Sequence, residues 1–384
     1  MKRLRTSRLQ VGILVLALAM MAVACGDDTV AEPAAAVTPT TAAPDMTPGA
    51  LTPTTEAPAM RDVTLALSTT SGFGYGFHIA LALGYYADEG LNVSLQGTGG
   101  SSDVAQILAA GNADAGMGVP GAMLPAIEAG ANLYPFFTYA YGEVFDVVVA
   151  LDSAIQTMDE AAGLSIGISE LAGGEVPLLR ALLVEAGVDP DADASILEVG
   201  ASAATVQNAF DNGDIQIYSG AKSDIAQMGA AGFETRSIAP SSLDTLPAEG
   251  LLATEETKDD RDLLIAIGRA TAKGQLIAYA NEDAAVCVLK EVIPEEFTDD
   301  EVGRAGLASV IPITKAPEDD DGIFTFGYLD AGGWNTYVGI FMQGGVITEN
   351  IDMTPLVLSD LLEGINEFDQ AAIVDEANSL PTDC

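Results

Sequence analysis

The residue types that most often carry out catalysis are scarce in this chain. There is one histidine, His78, among 384 residues, and there are three cysteines. A lone histidine cannot form a multi-histidine metal site, and no acid–base or nucleophile partner accompanies it. Glycines stand at 72, 74 and 76, but the dinucleotide-binding fingerprint needs two residues before its third glycine. We therefore expect no catalytic residue, no metal and no cofactor.

Glycines, hydroxyls and aromatic rings instead gather in loops that follow predicted strands. Ligands of open α/β sheets lie beyond the carboxyl ends of strands, where loops and helix N-termini meet. Glycine lets backbone amides approach a ligand, and aromatic rings stack on flat molecules. Ser102 or Asp103 also suits a helix cap, a role compatible with binding. The predicted ligand-binding residues are Ser68, Thr69, Thr70, Phe73, Tyr75, Phe77, His78, Gly100, Ser101, Ser102, Val119, Pro120, Gly121, Thr138, Tyr139, Tyr141, Ser169, Glu170, Gly173, Gly174, Ser219 and Lys222.

The charge balance restricts the class of ligand. The chain has 56 acidic and 15 basic residues, so its surface repels nucleic acid. No Lys or Arg stands between Arg61 and Arg180, and an anion would need backbone dipoles or a later cation such as Lys222. We expect a neutral or cationic heteroaromatic ligand, such as a pyrimidine vitamin precursor or a flavin-like compound. A sulfonate or nitrate anion is the alternative.

The first 24 residues have the form of an export signal. Four basic residues precede an apolar run from Val11 to Val23, which is too short for a comfortable membrane span. The segment from Ala22 to Cys25 resembles the lipobox of bacterial lipoproteins, which implies that Cys25 is the lipidation site. The usual Leu three residues before the cysteine is Ala22 here, and ordinary cleavage near Ala24 is the alternative.

Residues 25–60 are predicted to be a linker after this anchor cysteine. Six prolines stand among Thr and Ala without any aromatic residue, a composition that cannot form a packed core. An extended chain of this kind reaches on the order of 100 Å. We expect the folded part to begin near Arg61.

From there, short strands alternate with helices up to about residue 255. Alternating apolar residues and short apolar runs predict strands near 63–67, 91–95, 114–119, 144–151, 164–168, 195–199 and 215–218. This pattern is typical of mostly parallel sheets with helices on both faces. Three longer helices are predicted after residue 255. Cys287 and Cys384 form a disulfide or remain a buried and a terminal thiol.

Four phrases carry a resemblance to a known family. His78 to Val93 is similar to a family phrase of the form Gly-Tyr-Phe-x-x-Glu-Gly-Leu-x-Val, and Ile107 to Gly116 to a Leu-x-x-Gly-x-x-Asp-x-Gly segment. Gly163 to Ser169 and Leu178 to Pro190 match later segments in the expected order. The chain thus resembles ABC transporter substrate-binding proteins of the nitrate, sulfonate, taurine and thiamine-precursor group.

The resemblance implies an α/β fold of the periplasmic-binding-protein type 2 class. Two lobes joined by two crossing strands would hold a small molecule in their cleft, with C-terminal helices on the first. We place the first lobe at 61–152 and 243–384 and the second lobe at 153–242. The implied protein is an extracytoplasmic, lipid-anchored monomer that delivers its ligand to an ABC permease and ATPase.

Two rival functions remain open at this point. The same fold includes a pyrimidine-synthesising group of enzymes, which work in the cytosol, whereas this chain carries an export leader. An exported sensor lipoprotein without a permease is the other rival.

Overall fold

A computed structural model describes residues 60–69, 71–244, 246 and 248–384. The predicted export signal, the lipidation site Cys25 and residues 26–59 of the linker lie outside the described residues, as does Thr70. Within the described part, no helix is both long and apolar enough to cross a bilayer.

The described residues form two sheets of five strands each. In chain order the strands are β1 (Arg61–Leu67), β2 (Leu91–Gly97), β3 (Ala115–Gly118), β4 (Leu133–Ala140), β5 (Phe145–Ala150), β6 (Ser165–Ile168), β7 (Ser195–Glu198), β8 (Ile217–Ala221), β9 (Thr235–Ser237) and β10 (Glu249–Thr254).

The first sheet has the strand order β2-β1-β3-β10-β4. β1 pairs in parallel with β2 and β3, whereas β10 runs antiparallel to β3 and β4. Val63, Leu65 and Leu67 are buried on β1, as their period-2 spacing predicts. The chain leaves this sheet after β4 and returns to its interior as β10.

The second sheet, with the order β7-β6-β8-β5-β9, is built entirely from the chain between those two points. β6 pairs in parallel with β7 and β8, and β5 pairs antiparallel with β8 and β9. The α/β class and the two-sheet architecture predicted from the sequence are confirmed. Each sheet is mixed, because one strand of each pairs with antiparallel neighbours on both sides.

Helices surround the two sheets. They are α1 (Tyr75–Ala82), α2 (Tyr85–Asp88), α3 (Ser101–Ala109), α4 (Pro120–Glu128), α5 (Glu175–Glu185), α6 (Ala203–Asp211), α7 (Lys222–Ala230), α8 (Arg261–Ala280), α9 (Glu282–Val292), α10 (Asp300–Thr314), α11 (Ala331–Gln343), α12 (Leu362–Ile365) and α13 (Gln370–Ser379). Short 3-10 turns cover Gly72–Gly74, Met158–Ala161, Ser241–Leu243, Pro294–Phe297 and Ser359–Leu361.

A glycine separates the first two helices. Gly84 has a φ of 81°, in the left-handed region that glycine adopts without strain, and it separates α1 from α2. Downstream, the Asp260 side chain accepts a hydrogen bond from the Leu263 amide at 3.2 Å and starts the long α8. α8 packs against α1 and α13, so the C-terminal helices complete the core of the first sheet.

A disulfide joins Cys287 of α9 to Cys384, the last residue of the chain, with a Cα–Cα distance of 5.6 Å. It fixes the C-terminal end to the helices packed on the first sheet.

Candidate functional site

A cavity of about 330 Å³ lies between the two sheets. It falls within the range of roughly 300–1,000 Å³ that is typical of small-molecule pockets. Both sheets contribute to its walls. The lining residues are Ser68, Thr69, Ser71, Phe73, Gly100, Ser101, Val144, Phe145, Ser169, Glu170, Gly174, Glu175, Ala201, Ser202, Ala221, Ser223, Asp224, Gln227, Glu249 and Glu296.

Strand direction explains why these segments meet. The residues after β1, β2, β6, β7 and β8 all reach the cavity, as expected where parallel strands end at the same edge of a sheet. β10 runs the opposite way, and Glu249 at its start is paired with Ala140 at the end of β4. Glu249 therefore enters the cavity from the first residue of its strand.

Eight of the predicted ligand-binding residues line this cavity. Five of them follow β1 and β2 of the first sheet, and the other three follow β6 of the second sheet. They are Ser68, Thr69, Phe73, Gly100, Ser101, Ser169, Glu170 and Gly174.

The other predicted aromatic residues lie in the core of the first sheet instead. The Tyr75 hydroxyl lies 2.6 Å from the Thr314 hydroxyl, and the Phe77 and Tyr139 rings stack with centroids 5.0 Å apart. The Tyr139 hydroxyl donates to the carbonyl of Phe73 at 3.0 Å. Of the rings predicted to stack on a ligand, only Phe73 lines the cavity, and Tyr139 positions its backbone. His78, Thr138, Tyr141 and Ser219 are also packed away from the cavity, buried or partly buried.

The loop at Val119, Pro120 and Gly121 lines a separate void of about 10 Å³, which is too small for an organic solute. Its residues are buried against Gly174 of the second sheet's loop, where a Cβ on Gly174 would meet the Val119 side chain at 2.3 Å. This loop thus lies at a packed contact between the two halves. Gly173 is buried beside the Glu175 carboxyl and does not line the cavity.

Two predicted contributors to anion binding are engaged elsewhere. The Lys222 ammonium pairs with the Asp244 carboxylate at 3.0 Å. The main-chain N–H of Ser102, in the first turn of α3, donates to the carbonyl of Ala172 at 3.2 Å. Neither group lines the cavity.

Sequence reasoning missed the acidic side chains that give the cavity its character. Glu175, Asp224, Glu249 and Glu296 line it together with Glu170. Asp224 follows the predicted strand at 215–218 by a few residues, and Ala201 and Ser202 follow the predicted strand at 195–199. All three could have been predicted, because ligands lie beyond the carboxyl ends of strands. Glu249 had no such signal, because β10 was not predicted.

Burial raises the pKa of several of these carboxyls. Desolvation, reinforced by the charge of Glu143, raises the pKa of Glu249 to about 8, against a hydrogen bond from Ser68 that lowers it. Desolvation and then the charge of Glu296 raise the pKa of Asp224 to about 7. Desolvation and the charge of Glu175 raise the pKa of Glu170 to about 7. The pKa values of these three carboxyls therefore lie near neutral pH.

Glu175 and Glu143 are held by hydrogen bonds that keep them in place. Glu175 accepts from both the amide and the hydroxyl of Ser169, across the first turn of α5. Glu143, between β4 and β5, accepts from the Tyr337 hydroxyl at 2.6 Å and from the amides of Val144 and Phe145. In the part of the chain that the structure describes, no group of three or more His, Cys, Asp or Glu is arranged to hold a metal ion.

Two mixed sheets facing one another across a solute-sized cavity are the architecture of periplasmic binding proteins. A family model described as NMT1/THI5 like matches residues 75–285. The chain belongs to the NMT1/THI5-like family, as the motifs in the sequence indicate.

Relatives and solved structures agree with this placement. The riboflavin-binding protein RibY of Chloroflexus aurantiacus is 24% identical over 377 residues, which cover 93% of this chain and 97% of that protein. The alkanesulfonate-binding protein SsuA from Xanthomonas axonopodis pv. citri superposes with a TM-score of 0.60 at 15% identity, covering 78% of this chain and 98% of its own. The nitrate-binding protein NrtA from Synechocystis PCC 6803 has a TM-score of 0.60 at 12% identity, and the superposition covers 85% of this chain and 100% of the NrtA chain. The predicted periplasmic-binding-protein fold is confirmed.

Proposed function

We propose that this protein captures a small organic molecule in the cavity between its two lobes and releases it unaltered. The observation that carries this proposal is the 330 Å³ cavity, whose walls come from the strand ends of both sheets. A ligand placed there touches both lobes, so its binding favours the closed arrangement of the lobes. The lobes are proposed at 61–152 with 243–384 and at 153–242, with β5 as the segment that crosses from the first lobe into the second sheet.

The composition of the cavity supports a neutral or cationic heteroaromatic ligand over an oxyanion. Among the described residues that line it there is no Lys or Arg, and five carry carboxyls. Phe73 supplies an apolar surface, while hydroxyls of Ser68, Thr69 and Ser71 supply hydrogen bonds. The riboflavin-binding relative supports a flat ring system, while the sulfonate- and nitrate-binding structures favour the anion alternative.

Transport is the proposed setting. An export signal, lipidation at Cys25 and the linker segment 25–60 would place the folded part outside the cytoplasm, tethered to a membrane. We propose that it acts there as a monomer. The closed form would then deliver its ligand to an ABC permease and ATPase. A sensor that binds the same ligand without a permease is the rival, and a pyrimidine-precursor enzyme is the rival of another class.

A thermal-shift screen of the folded part tests the proposal. The compounds are riboflavin, aminopyrimidines, amines, taurine and nitrate. A ligand that binds only the folded form stabilises it by about 2.7 kcal/mol at a hundredfold excess over Kd. We expect at least one heteroaromatic compound to raise the melting temperature, and mass spectrometry to recover it unchanged. Conversion of the compound would favour an enzyme, and a shift with taurine or nitrate alone would overturn the ligand class.

A further inference from the structure

The walls of the cavity carry an unbalanced set of charges. Its carboxyls come from both lobes, with Glu249 and Glu296 on the first and Glu170, Glu175 and Asp224 on the second. None of the described residues lining the cavity is basic. When ionised, Asp224 and Glu296 repel each other across the cleft, since a low-dielectric cavity screens like charges poorly.

Glu249 is a buried acceptor with one oxygen unused. Its side chain is only 5% exposed, yet it lines the cavity. Oε1 accepts a hydrogen bond from the Ser68 hydroxyl at 2.9 Å, and none of the described residues donates to Oε2. Because Glu249 lines the cavity, Oε2 can accept a hydrogen bond from a donor that arrives with the ligand.

The second lobe presents a similar group. Asp224 stands in the first turn of α7, and the hydrogen bond it receives is a long one, 3.5 Å, from its neighbour Ser223. It faces the charges of Glu296, Glu175 and Glu170. Glu249 faces Glu143 and the Ser68 hydroxyl. None of the described basic side chains neutralises either carboxyl.

Two groups that could bind an anion already have hydrogen-bond or ion-pair partners within the protein. The Ser102 amide at the start of α3 is bonded to Ala172 of the second lobe, and the Lys222 ammonium is bonded to Asp244. An anionic ligand in this cavity would have to displace these bonds and face five carboxyls.

We propose that the cleft selects a ligand bearing a protonated nitrogen, which donates to Oε2 of Glu249 in the first lobe, while the Asp224 carboxylate of the second lobe attracts it across the cleft. This rests on the proposed function and narrows its ligand class. Charge-assisted hydrogen bonds to buried carboxylates are about twice as strong as neutral ones, and here they also relieve the repulsion across the cleft. Binding of the cation displaces protons held by Glu249 and Asp224.

Two matched series of compounds test this inference on the chain after removal of residues 1–24, with Cys25 replaced by Ser. The first series is tryptamine, tryptophol and indole-3-acetate. The second is 3-(aminomethyl)pyridine, 3-pyridinemethanol and nicotinate. Each series keeps one ring and changes its charge from positive through neutral to negative. Affinity is measured by calorimetry at pH 6 and pH 8.5 and constant ionic strength.

We expect the cation to bind most tightly and the anion most weakly in at least one series. Tryptamine affinity should rise toward pH 8.5 as the cavity carboxyls ionise, because its alkylamine stays protonated, while tryptophol affinity changes little. Glu249→Gln keeps the shape and removes the charge, and should weaken cation binding about tenfold or more while sparing the neutral compound. Glu367→Gln, an exposed carboxyl that does not line the cavity, is the charge-matched control and should leave all affinities unchanged.

Three results would overturn the inference: no binding of either amine, tighter binding of a neutral or anionic member in both series, or unchanged cation affinity in Glu249→Gln. Riboflavin binding in the absence of amine binding would overturn the charge selection and leave the proposed function standing. Failure of every compound in the earlier screen would instead count against the proposed function itself.

Discussion

The main-chain N–H of Ser102 donates a hydrogen bond to the carbonyl oxygen of Ala172, with an N–O distance of 3.2 Å. This bond joins α3 of the first sheet to the loop after β6 of the second sheet, at the rim of the cavity. Gly100 lies beneath it with a φ of 127°, and an added Cβ would stand 2.5 Å from the Ala172 oxygen. The two halves therefore touch through backbone, at a point where a side chain does not fit.

Replacing Gly100 by Ala should weaken ligand binding. The backbone at Gly100 is in a region that only glycine adopts readily, which costs about 1–3 kcal/mol for other residues. The added methyl group also collides with Ala172, so the contact between halves opens. We expect at least a tenfold loss of affinity for the ligand found by the screen, measured by calorimetry.

Gly229→Ala is the matched control for that substitution. Gly229 lies inside α7, and no atom stands within 4 Å of its added Cβ. Alanine there should leave affinity unchanged and stabilise the helix by about 0.5–1 kcal/mol. Equal affinities in the two variants would contradict the role of the Gly100 contact.

The stability of the empty protein should fall as the pH rises from about 5 to 8. The pKa of Glu249 is raised from 4.5 to about 8, so the folded chain binds more protons than the unfolded chain between these values. Unfolding then becomes easier with rising pH. Glu249→Gln removes this contribution and should give a flatter dependence of the free energy of unfolding on pH, measured by urea titration.

The overall acidic charge also disfavours the compact state at high pH. The test is therefore the difference between wild type and Glu249→Gln in the slope of the free energy of unfolding against pH. Glu367→Gln removes one acidic side chain at an exposed position and should keep the wild-type slope. A Glu249→Gln slope equal to that of wild type would show that Glu249 ionises in the folded protein as it does in the unfolded chain.

Removing the Tyr337 hydroxyl should destabilise the junction between the sheets. Glu143 is buried between β4 and β5, and Tyr337 is one of its three hydrogen-bond donors. Tyr337→Phe should lower the free energy of unfolding by about 1–3 kcal/mol, because a buried acceptor loses a partner. Tyr328→Phe, at a side chain 48% exposed, should change it by less than about 0.5 kcal/mol. Similar values for both variants in urea titrations would refute the proposed role of the Glu143 bond.

Loss of the Cys287–Cys384 disulfide should lower stability by about 2–5 kcal/mol, since it closes a loop of 97 residues. The measurement is urea unfolding with and without reductant, in a chain with Cys25 replaced by Ser. A variant with both remaining cysteines replaced by Ser should match the reduced protein and be insensitive to reductant. Unchanged stability of the oxidised chain on reduction would show that the bond does not form or adds nothing.

Most of the strands could be predicted from the sequence, because short local patterns of apolar residues indicate them. Alternation of apolar residues marked β1. The strands β4, β9 and β10 were not predicted. β4 and β10 are buried on both faces, and β10 consists of small and apolar residues without period-2 alternation. Their pairing depends on contacts more than a hundred residues apart along the chain.

The residues of the candidate site could be predicted only in part, because some of them follow strands that were themselves not predicted. Loops that follow predicted strands, such as those at Ser68 and Ser169, could be named from strand order alone. Tyr75 and Tyr139 have side chains that suit either a core or a ligand, and only packing places them in the core. Glu249 enters from the missed strand and Glu296 from the distant C-terminal helices, so neither carried a local signal.

Hydrogen–deuterium exchange with and without the strongest ligand from the screen tests the central claim most directly. Capture between the two lobes predicts slower exchange in segments of both, around residues 68–73 and 100–104 of the first and 169–175 and 222–227 of the second. The control is the Gly100→Ala variant, in which protection at 100–104 should be lost first. Protection confined to one lobe, or located away from these segments, would contradict binding in the shared cavity.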